Sequence, residues 1–392
     1  MIYPITANWY KSIKEIPENQ WDPLIDTSAR PFYKWNWLFA LEQSESISPK
    51  YGWQPIHLTL WENNRIVALA PLYLKNHSYG EFIFDHEFAK LSMQLGLEYY
   101  PKLLGMSPLS PIEGYRFFIA KGKSEEELTK IILKLIDDFA FKNGILSCNF
   151  LYVDQSWKKY AESLGYSAWT NRQSQWSSIG ETTFEDYLKR FNSNQRRNIK
   201  RERASIAKSN LQITALTNND IDLEILQLMH KFYENHCARW GEWGSKYLTN
   251  KFFEKLEDKS LRKDIVLFNA HRGDPKDPVA MSLCLTNWDM LWGRYWGSKE
   301  IIQNLHFELC YYSPISWAIK QGINKFDPGA GGKHKLRRGF QSIPCFSLHR
   351  WYNKNIAVIL KSCLPKVNNL MIQEINASNN EAPFVIQEVY LE

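Results

Sequence analysis

The stretch that most constrains this chain is residues 325–340, KFDPGAGGKHKLRRGF. A short apolar run ends at Pro328, and glycines follow that tolerate positive φ angles and let a ligand approach the backbone. Those glycines are Gly329, Gly331 and Gly332, and the side chains after them are Lys333, His334, Lys335, Arg337 and Arg338. Exposed amides beside cations suit a phosphate or a carboxylate. No Gly-Lys-Ser/Thr ends the loop, so it is not a Walker loop, and a solvated surface turn is the alternative interpretation.

A second group of cations lies mid-chain, in FNSNQRRNIKRERA at residues 191–204. A capping-box pattern from Thr182 to Glu185 predicts a first short helix, and Ser193 or Asn194 is the expected cap of a second. Four cations then share one face near that second helix N-terminus: Arg196, Arg197, Lys200 and Arg201. Both the helix dipole and the side chains favour an anion there. A solvated helix face is the competing interpretation.

The length of 392 residues predicts two domains, with boundaries at 1–180 and 181–392. Hydrophobic residues make up 44% of the chain and charged residues 23%, which is typical of a globular protein. The net charge of +6 is modest, so it would favour an anionic partner only where the cations cluster.

The six cysteines form no CxxC pair, so the sequence predicts reduced thiols and no metal site. The N-terminus lacks a basic region followed by an apolar one, and no apolar run reaches the roughly 18 residues of a membrane helix. We therefore expect a cytoplasmic protein without a membrane span.

Hydrophobic periodicity predicts a mixed α/β fold in which the second half repeats the plan of the first. Two strands at 55–61 and 66–74 form a hairpin around the turn 62–65, and strands at 265–271 and 279–287 form a matching hairpin. The further predicted helices cover 30–43, 88–104, 125–142, 157–164, 306–321 and 355–377. The further predicted strands cover 82–85, 115–120, 145–153, 174–179, 290–296, 325–327 and 345–352.

Three stretches together resemble the bacterial FemAB-like family of N-acyltransferases in the GNAT superfamily, which carries a peptidoglycan-biosynthesis label. They are SPLSPIEGYRFF (107–118), FNSNQRRNIKRERA (191–204) and LHFELCYYSPISWAIKQGINKFDPGAGGKHKLRRGF (305–340). The resemblance implies tandem GNAT-like domains, each a mixed central sheet flanked by helices, with the active groove in the second. It also implies transfer of an acyl or aminoacyl group to an amine acceptor. The carrier would be acyl-CoA or aminoacyl-tRNA, with no tightly bound cofactor, and its phosphates would meet the two cation clusters.

The chain departs from the usual GNAT pattern in one respect. The pyrophosphate loop Arg/Gln-x-x-Gly-x-Gly/Ala would lie near residues 295–306, and YWGSKEIIQNLH lacks it. Acyl-CoA binding in the ordinary GNAT manner is therefore not expected. The sustained heptads of the coiled-coil arm of the Fem ligases are also missing.

Four side chains near the glycine loop are candidate bases for taking the amine proton: His306, Glu308, Asp327 and His334. His334 is the most attractive, because an imidazole titrates near neutral pH. Arg294 and Tyr295 end an apolar strand, where ligands often bind. Each also has a structural interpretation, such as an ion pair of Glu308 with Arg294 or a turn built on Asp327.

Two other functions are compatible with these patterns. A nucleic-acid-binding protein that keeps the fold without catalysis would use the basic helix and the abundant aromatic residues, and tRNA would then be a binding partner. A protein-interaction scaffold would have no occupied cleft. The identity of the acyl group and of the acceptor is not encoded in any motif.

Overall fold

The computed structural model describes residues 4–25 and 31–385, and the chain divides into two compact units. The first unit comprises the residues up to Asn171 together with Pro344–Gln373, and the second comprises Arg172–Ile343 and the residues from Glu374 onward. The predicted division into 1–180 and 181–392 differs from this, because Pro344–Gln373 returns to the first unit. The cause is long-range strand pairing, in which Leu348 lies opposite Phe150.

The first unit carries two sheets. Its strands are β1 Thr6–Tyr10, β2 Trp53–Pro55, β3 His57–Glu62, β4 Arg65–Ala70, β5 Tyr73–Lys75, β6 Lys102–Gly105, β7 Phe118–Ile119 and β8 Ser147–Phe150. Its helices are α1 Glu18–Trp21, α2 Trp35–Gln43, α3 His86–Gln94, α4 Glu125–Lys142 and α5 Gln155–Ser163. Three long elements pass from one unit to the other: β9 Ser167–Ser177, β15 Gln341–Trp351 and α13 Lys354–Asn380. One sheet has the order β1-β3-β4-β7, and in the other β2, β5, β6, β8 and β15 pair in turn.

Several predictions for this unit are confirmed and two are wrong. The hairpin of β3 and β4 and the bounds of α4 agree with the sequence patterns. The predicted helix 88–104 ends at Gln94, and residues 102–104 instead enter strand β6. Gly96, with a φ of 69°, and Pro101 separate the two elements, since neither residue continues a helix well. Residues 82–85 form no strand.

The second unit is built on one sheet with the order β10-β11-β12-β13-β14-β9. Its strands are β10 Gln212–Thr217, β11 Ile265–His271, β12 Pro278–Thr286, β13 Met290–Ser298 and β14 Lys325–Asp327. Its helices are α6 Phe184–Lys189, α7 Ser193–Lys208, α8 Leu223–Ala238, α9 Asn250–Lys255, α10 Lys259–Arg262, α11 Leu305–Phe307 and α12 Ser313–Gln321. The predicted hairpin of β11 and β12 is confirmed.

The pairing of β13 with β14 positions the site. The two strands are parallel and pair only as far as Trp292 and Asp327, after which β13 continues to Ser298. Helix α8 packs closely on that continuation, because a Cβ at Gly297 would lie 2.0 Å from the Phe232 carbonyl oxygen. A glycine is therefore required where the helix meets the strand.

The helix before β14 contains a π turn, Glu308–Tyr312, between α11 and α12. Pro314 stands in the first turn of α12. The helical segment runs from α11 through the π turn into α12 without a break at this proline. A proline supplies no N–H to the preceding turn, and the Leu309 carbonyl instead accepts a hydrogen bond from Ser282 Oγ at 2.6 Å. The π turn thus accommodates the proline without leaving that carbonyl unpaired.

The caps of α6 and α7 differ from the predicted ones by one residue or two. Thr183, with Asp186 as its partner, forms the capping box of α6 in place of Thr182 and Glu185. Asn192 caps α7 by accepting a hydrogen bond from the Gln195 N–H. Asn, Ser and Thr are all good caps, so the local sequence alone does not choose between neighbours.

A buried network of charges lies in the first unit. Lys102 Nζ donates to Glu81 at 2.7 Å and also contacts Asp85. Lys75 is equally buried, lies 3.9 Å from the centre of the Trp53 ring and donates to the Tyr79 carbonyl at 3.3 Å. Burial lowers the pKa of Lys75 to about 7 and raises the pKa of Glu81 to about 7. Both groups therefore make folding depend on pH.

Replacement of Lys75 by Met should flatten the rise in stability between pH 7 and pH 9. The folded pKa near 7 lies below the unfolded value of 10.5, so the unfolded chain binds the extra proton in this window. The free energy of unfolding of the wild type should therefore increase by a few kcal/mol as the pH rises, as urea titrations at several pH values would show.

The exposed Lys90 provides the control, since Lys90→Met should keep the wild-type slope. An unchanged slope in Lys75→Met would show that this ammonium is not the group that titrates.

Candidate functional site

The glycine loop after β14 folds back on its own cation. Gly329 has a φ of 84°, and its N–H donates to Asp327 Oδ1 at 2.8 Å. Lys335 is buried and donates from Nζ to the carbonyl oxygens of Gly329 at 2.6 Å and Ala330 at 3.1 Å. Burial lowers the pKa of Lys335 to about 8, an effect that the nearby Asp327 opposes. This ammonium therefore holds the loop in shape.

Arg294 and Asp327 form an ion pair where β13 and β14 stop pairing. Arg294 Nη2 lies 2.8 Å from Asp327 Oδ2, and both side chains are buried. Arg294 also donates to the Gly293 carbonyl at 2.7 Å. The pair joins the diverging strands, and Asp327 uses both of its oxygens in this corner.

The turn Lys333–Arg338 is fixed to α7 through Arg338. The Arg338 guanidinium donates to both carboxylate oxygens of Glu202, at 2.8 and 2.9 Å, and lies 3.3 Å from the centre of the Phe307 ring. Tyr312 also donates to Glu202. Gln195 completes the attachment by donating to the Arg337 carbonyl at 2.7 Å. Helix α7 and the cationic turn therefore face each other across a short distance.

A cavity of about 540 Å³ opens between α7 and this turn. The side chains around it are Gln195, Asn198, Arg201, Glu202, Phe307, His334, Arg337 and Arg338. Arg201 and Arg337 are exposed, and within residues 4–25 and 31–385 neither has a carboxylate at ion-pair distance. Glu202 is already neutralised by Arg338, so the cavity presents net positive charge.

His334 is the candidate base that lines this cavity. Its Nε2 lies 2.8 Å from the Tyr311 hydroxyl, and the side chain is half-buried. Burial, followed by the charges of Arg338 and Lys335, holds the pKa of His334 below its usual 6.5. The imidazole is therefore neutral at pH 7, the state that can accept a proton.

The other candidate bases lie in more enclosed surroundings. Burial lowers the pKa of His306 to about 3, and its ring packs 5.8 Å from that of His334. Glu308 accepts from Arg203 through both oxygens, at 3.0 to 3.2 Å, and from Ser313 at 2.8 Å. Glu308 and Asp327 are therefore each paired with an arginine that holds the scaffold together, and His306 is enclosed among rings.

The remaining predicted ligand-binding residues are dispersed. Arg196 and Arg197 do not line the 540 Å³ cavity, and Lys200 pairs with Glu185 at 3.0 Å. Tyr295 packs against the rings of Tyr233 and Phe253, at 5.5 and 5.9 Å. Gly331 and Gly332 are exposed with positive φ, and the Lys333 side chain lies outside the described atoms.

Four further residues line the cavity without having been predicted from the sequence: Gln195, Asn198, Glu202 and Phe307. Gln195, Asn198 and Glu202 recur at spacings of three and four along α7, as expected for one helix face. Phe307 and Glu202 both contact Arg338, which is remote from them in sequence, so no local pattern indicates that they line the cavity.

A family model matches residues 12–386, nearly the whole chain, and is described as peptidoglycan biosynthesis/recognition. The chain belongs to the FemAB-like family. The resemblance inferred from the three motifs is thereby confirmed. No curated protein matches the sequence of this FemAB-like protein significantly.

Solved structures share the fold of the FemAB-like protein at low identity. The crystal structure of FemX is similar at a TM-score of 0.53 and 11% identity, over 88% of this chain and 98% of FemX. The C-terminal DUF2156 domain of a predicted lysylphosphatidylglycerol synthetase from Agrobacterium fabrum has a TM-score of 0.53 and 8% identity, over 91% of this chain and 97% of that domain. A tandem GNAT protein from the clavulanic acid biosynthesis pathway has a TM-score of 0.45 and 8% identity, over 89% of this chain and 99% of that protein. The predicted mixed α/β fold class is confirmed.

Two features are absent from the described residues. No helix among them combines the length and the apolar character needed to cross a membrane. No group of three or more His, Cys, Asp or Glu side chains within the same residues is arranged to hold a metal ion.

The pair of Glu202 and Arg338 should couple strongly in a double-mutant cycle. Both side chains are largely buried, at 18% and 6% exposed, so Glu202→Gln leaves a buried guanidinium without its carboxylate. We expect a coupling free energy of about 2–3 kcal/mol with Arg338→Met, measured by chemical unfolding.

The control cycle uses Arg272 and Glu300, a pair that is also joined by two hydrogen bonds but is about half exposed. Its coupling should be clearly smaller than that of Glu202 and Arg338, because solvent screens an exposed ion pair. Equal coupling in the two cycles would contradict the proposed anchoring of the turn.

Proposed function

We propose that the FemAB-like protein is an N-acyltransferase that moves an acyl or aminoacyl group from an activated carrier to an amine. The observation that carries this proposal is the 540 Å³ cavity, in which Arg201 and Arg337 stand beside the neutral imidazole of His334. Two guanidinium groups that have no carboxylate partner among the described residues suit the phosphates of acyl-CoA or of aminoacyl-tRNA. Membership of the FemAB-like family supports the same reaction class.

The chemistry requires one bond to form and one to break. The amine nitrogen attacks the carbonyl carbon of the carried acyl group, and the bond from that carbon to the carrier's sulfur or oxygen breaks. His334 takes the proton that the amine loses, and the leaving thiolate or alkoxide takes up a proton in turn. Tyr311, 2.8 Å from Nε2, orients the imidazole for this step.

The phosphate-binding part of the proposal predicts which cations matter for the carrier. A carrier that binds the folded protein raises its melting temperature by mass action. Acetyl-CoA, longer acyl-CoAs and charged tRNA are the carriers to compare, and the effective one should lose its shift in the double variant Arg201→Ala/Arg337→Ala.

Lys208→Ala, an exposed cation at the far end of α7, is the matched control and should keep the shift. A wild-type protein that melts at the same temperature with every carrier would speak against the transferase and for a scaffold role.

The role of His334 predicts the pH dependence of transfer. Because its pKa is held below 6.5, kcat/KM should be constant near pH 7 and should fall only on the acid side of that value as the imidazole gains a proton. His334→Gln should lower the rate by about 10²–10⁴-fold, without weakening carrier binding, and should abolish the acid limb.

Product formation on a panel of primary amines, followed by mass spectrometry, measures this rate. If His334→Gln keeps both the wild-type rate and the wild-type acid limb, the base lies elsewhere or the amine arrives already deprotonated.

A further inference from the structure

A second cavity, of about 350 Å³, shares a wall with the proposed carrier site. Its lining residues are Asn192, Asn194, Gln195, Asn198, Leu336, Arg337, Glu381 and Pro383. Gln195, Asn198 and Arg337 belong to both cavities. A ligand that crosses this shared wall would occupy both spaces at once.

The two cavities differ in charge. The larger one contains Arg201, Arg337 and the neutralised pair of Glu202 and Arg338, so it carries positive charge. The smaller one contains the exposed carboxylate of Glu381 opposite the single guanidinium of Arg337. A phosphate therefore fits the larger cavity, and a neutral group that donates hydrogen bonds fits the smaller.

The side chains of the smaller cavity resemble those that pair with base edges. Asn and Gln side chains carry an N–H donor and an oxygen acceptor, the two kinds of group that hydrogen-bond to the edge of adenine. Gln195 Nε2 donates to the Arg337 carbonyl oxygen, and Asn198 Oδ1 accepts a hydrogen bond from Arg201. Gln195 Oε1 and Asn198 Nδ2 are then available to a ligand. Leu336 and Pro383 supply apolar contact for the faces of a ring.

We infer that the two cavities together bind the terminal adenosine nucleotide of the carrier, with its phosphate between Arg201 and Arg337 and its base in the smaller cavity. This inference rests on the proposed function, since acyl-CoA and aminoacyl-tRNA share adenosine as their terminal nucleoside. The exocyclic amine of adenine donates to Glu381 or to an amide oxygen. Uracil has no such amine, so the site discriminates between the two bases.

The test is calorimetric titration of the full chain at one fixed ionic strength. Adenosine 3′,5′-bisphosphate and uridine 3′,5′-bisphosphate carry the same phosphates and differ only in the base, and the trinucleotides CCA and CCU repeat the comparison for an RNA end. The adenine probe of at least one pair should bind about fivefold tighter or more. Tighter binding of the bisphosphate points to a CoA end, and tighter binding of CCA to an RNA end.

Point variants distinguish recognition of the base from binding of the phosphate. Asn194→Leu and Glu381→Leu, at two exposed positions, should bring the adenine-to-uracil ratio close to one while the uracil probes keep their affinity. Arg337→Ala should lower the affinity for the adenine probes and for the uracil probes by similar factors. Asn369→Leu, an exposed amide that lines neither cavity, is the control and should change nothing.

Equal affinity for the two bases, no binding of any probe, or a preference that survives both leucine variants would overturn the adenosine site. None of these results decides the transferase activity, which the amine-panel assay measures independently. A protein that transfers acyl groups but shows no base preference would keep the proposed function and lose only this subsite.

Discussion

The candidate site depends on the ion pair between Glu202 and Arg338. It joins a helix to a turn that lies 136 residues later in the chain, and the Phe307 ring covers the guanidinium. A buried guanidinium needs a carboxylate and a flat surface to offset the loss of water, and this one has both. With this pair in place, and with Gln195 donating to the Arg337 carbonyl, Arg201 and Arg337 line one cavity.

Cations in this chain have two roles that the sequence does not separate. Lys335 and Arg338 are buried and bind carbonyl oxygens or a carboxylate, so they maintain the shape of the loop. Arg201 and Arg337 are exposed and have no acidic partner in the described part of the chain. A run such as KHKLRR therefore mixes scaffold and ligand-binding residues, and only burial and partners tell them apart.

This chain lacks the pyrophosphate loop of ordinary GNAT enzymes, and the proposed site would bind an anionic carrier in another way. The segment after β13 carries no Gly-x-Gly pattern, yet α11 begins at Leu305 and Phe307 of the same helix lines the cavity. In our proposal the charge needed for an anionic carrier comes from side chains of α7 and of the turn.

Local spacing was enough to predict many of the helices and strands, among them α4 and the two hairpins, and motifs that stay together in the chain indicated the fold class and the family. The sequence also identified His334 and Arg337 as site residues, which remains our proposal. Three features emerged only from the folded chain: the return of Pro344–Gln373 to the first unit, the strand at Lys102–Gly105 and the pairing of Glu202 with Arg338. Those outcomes depend on contacts between residues far apart in the chain, and no local pattern records such contacts.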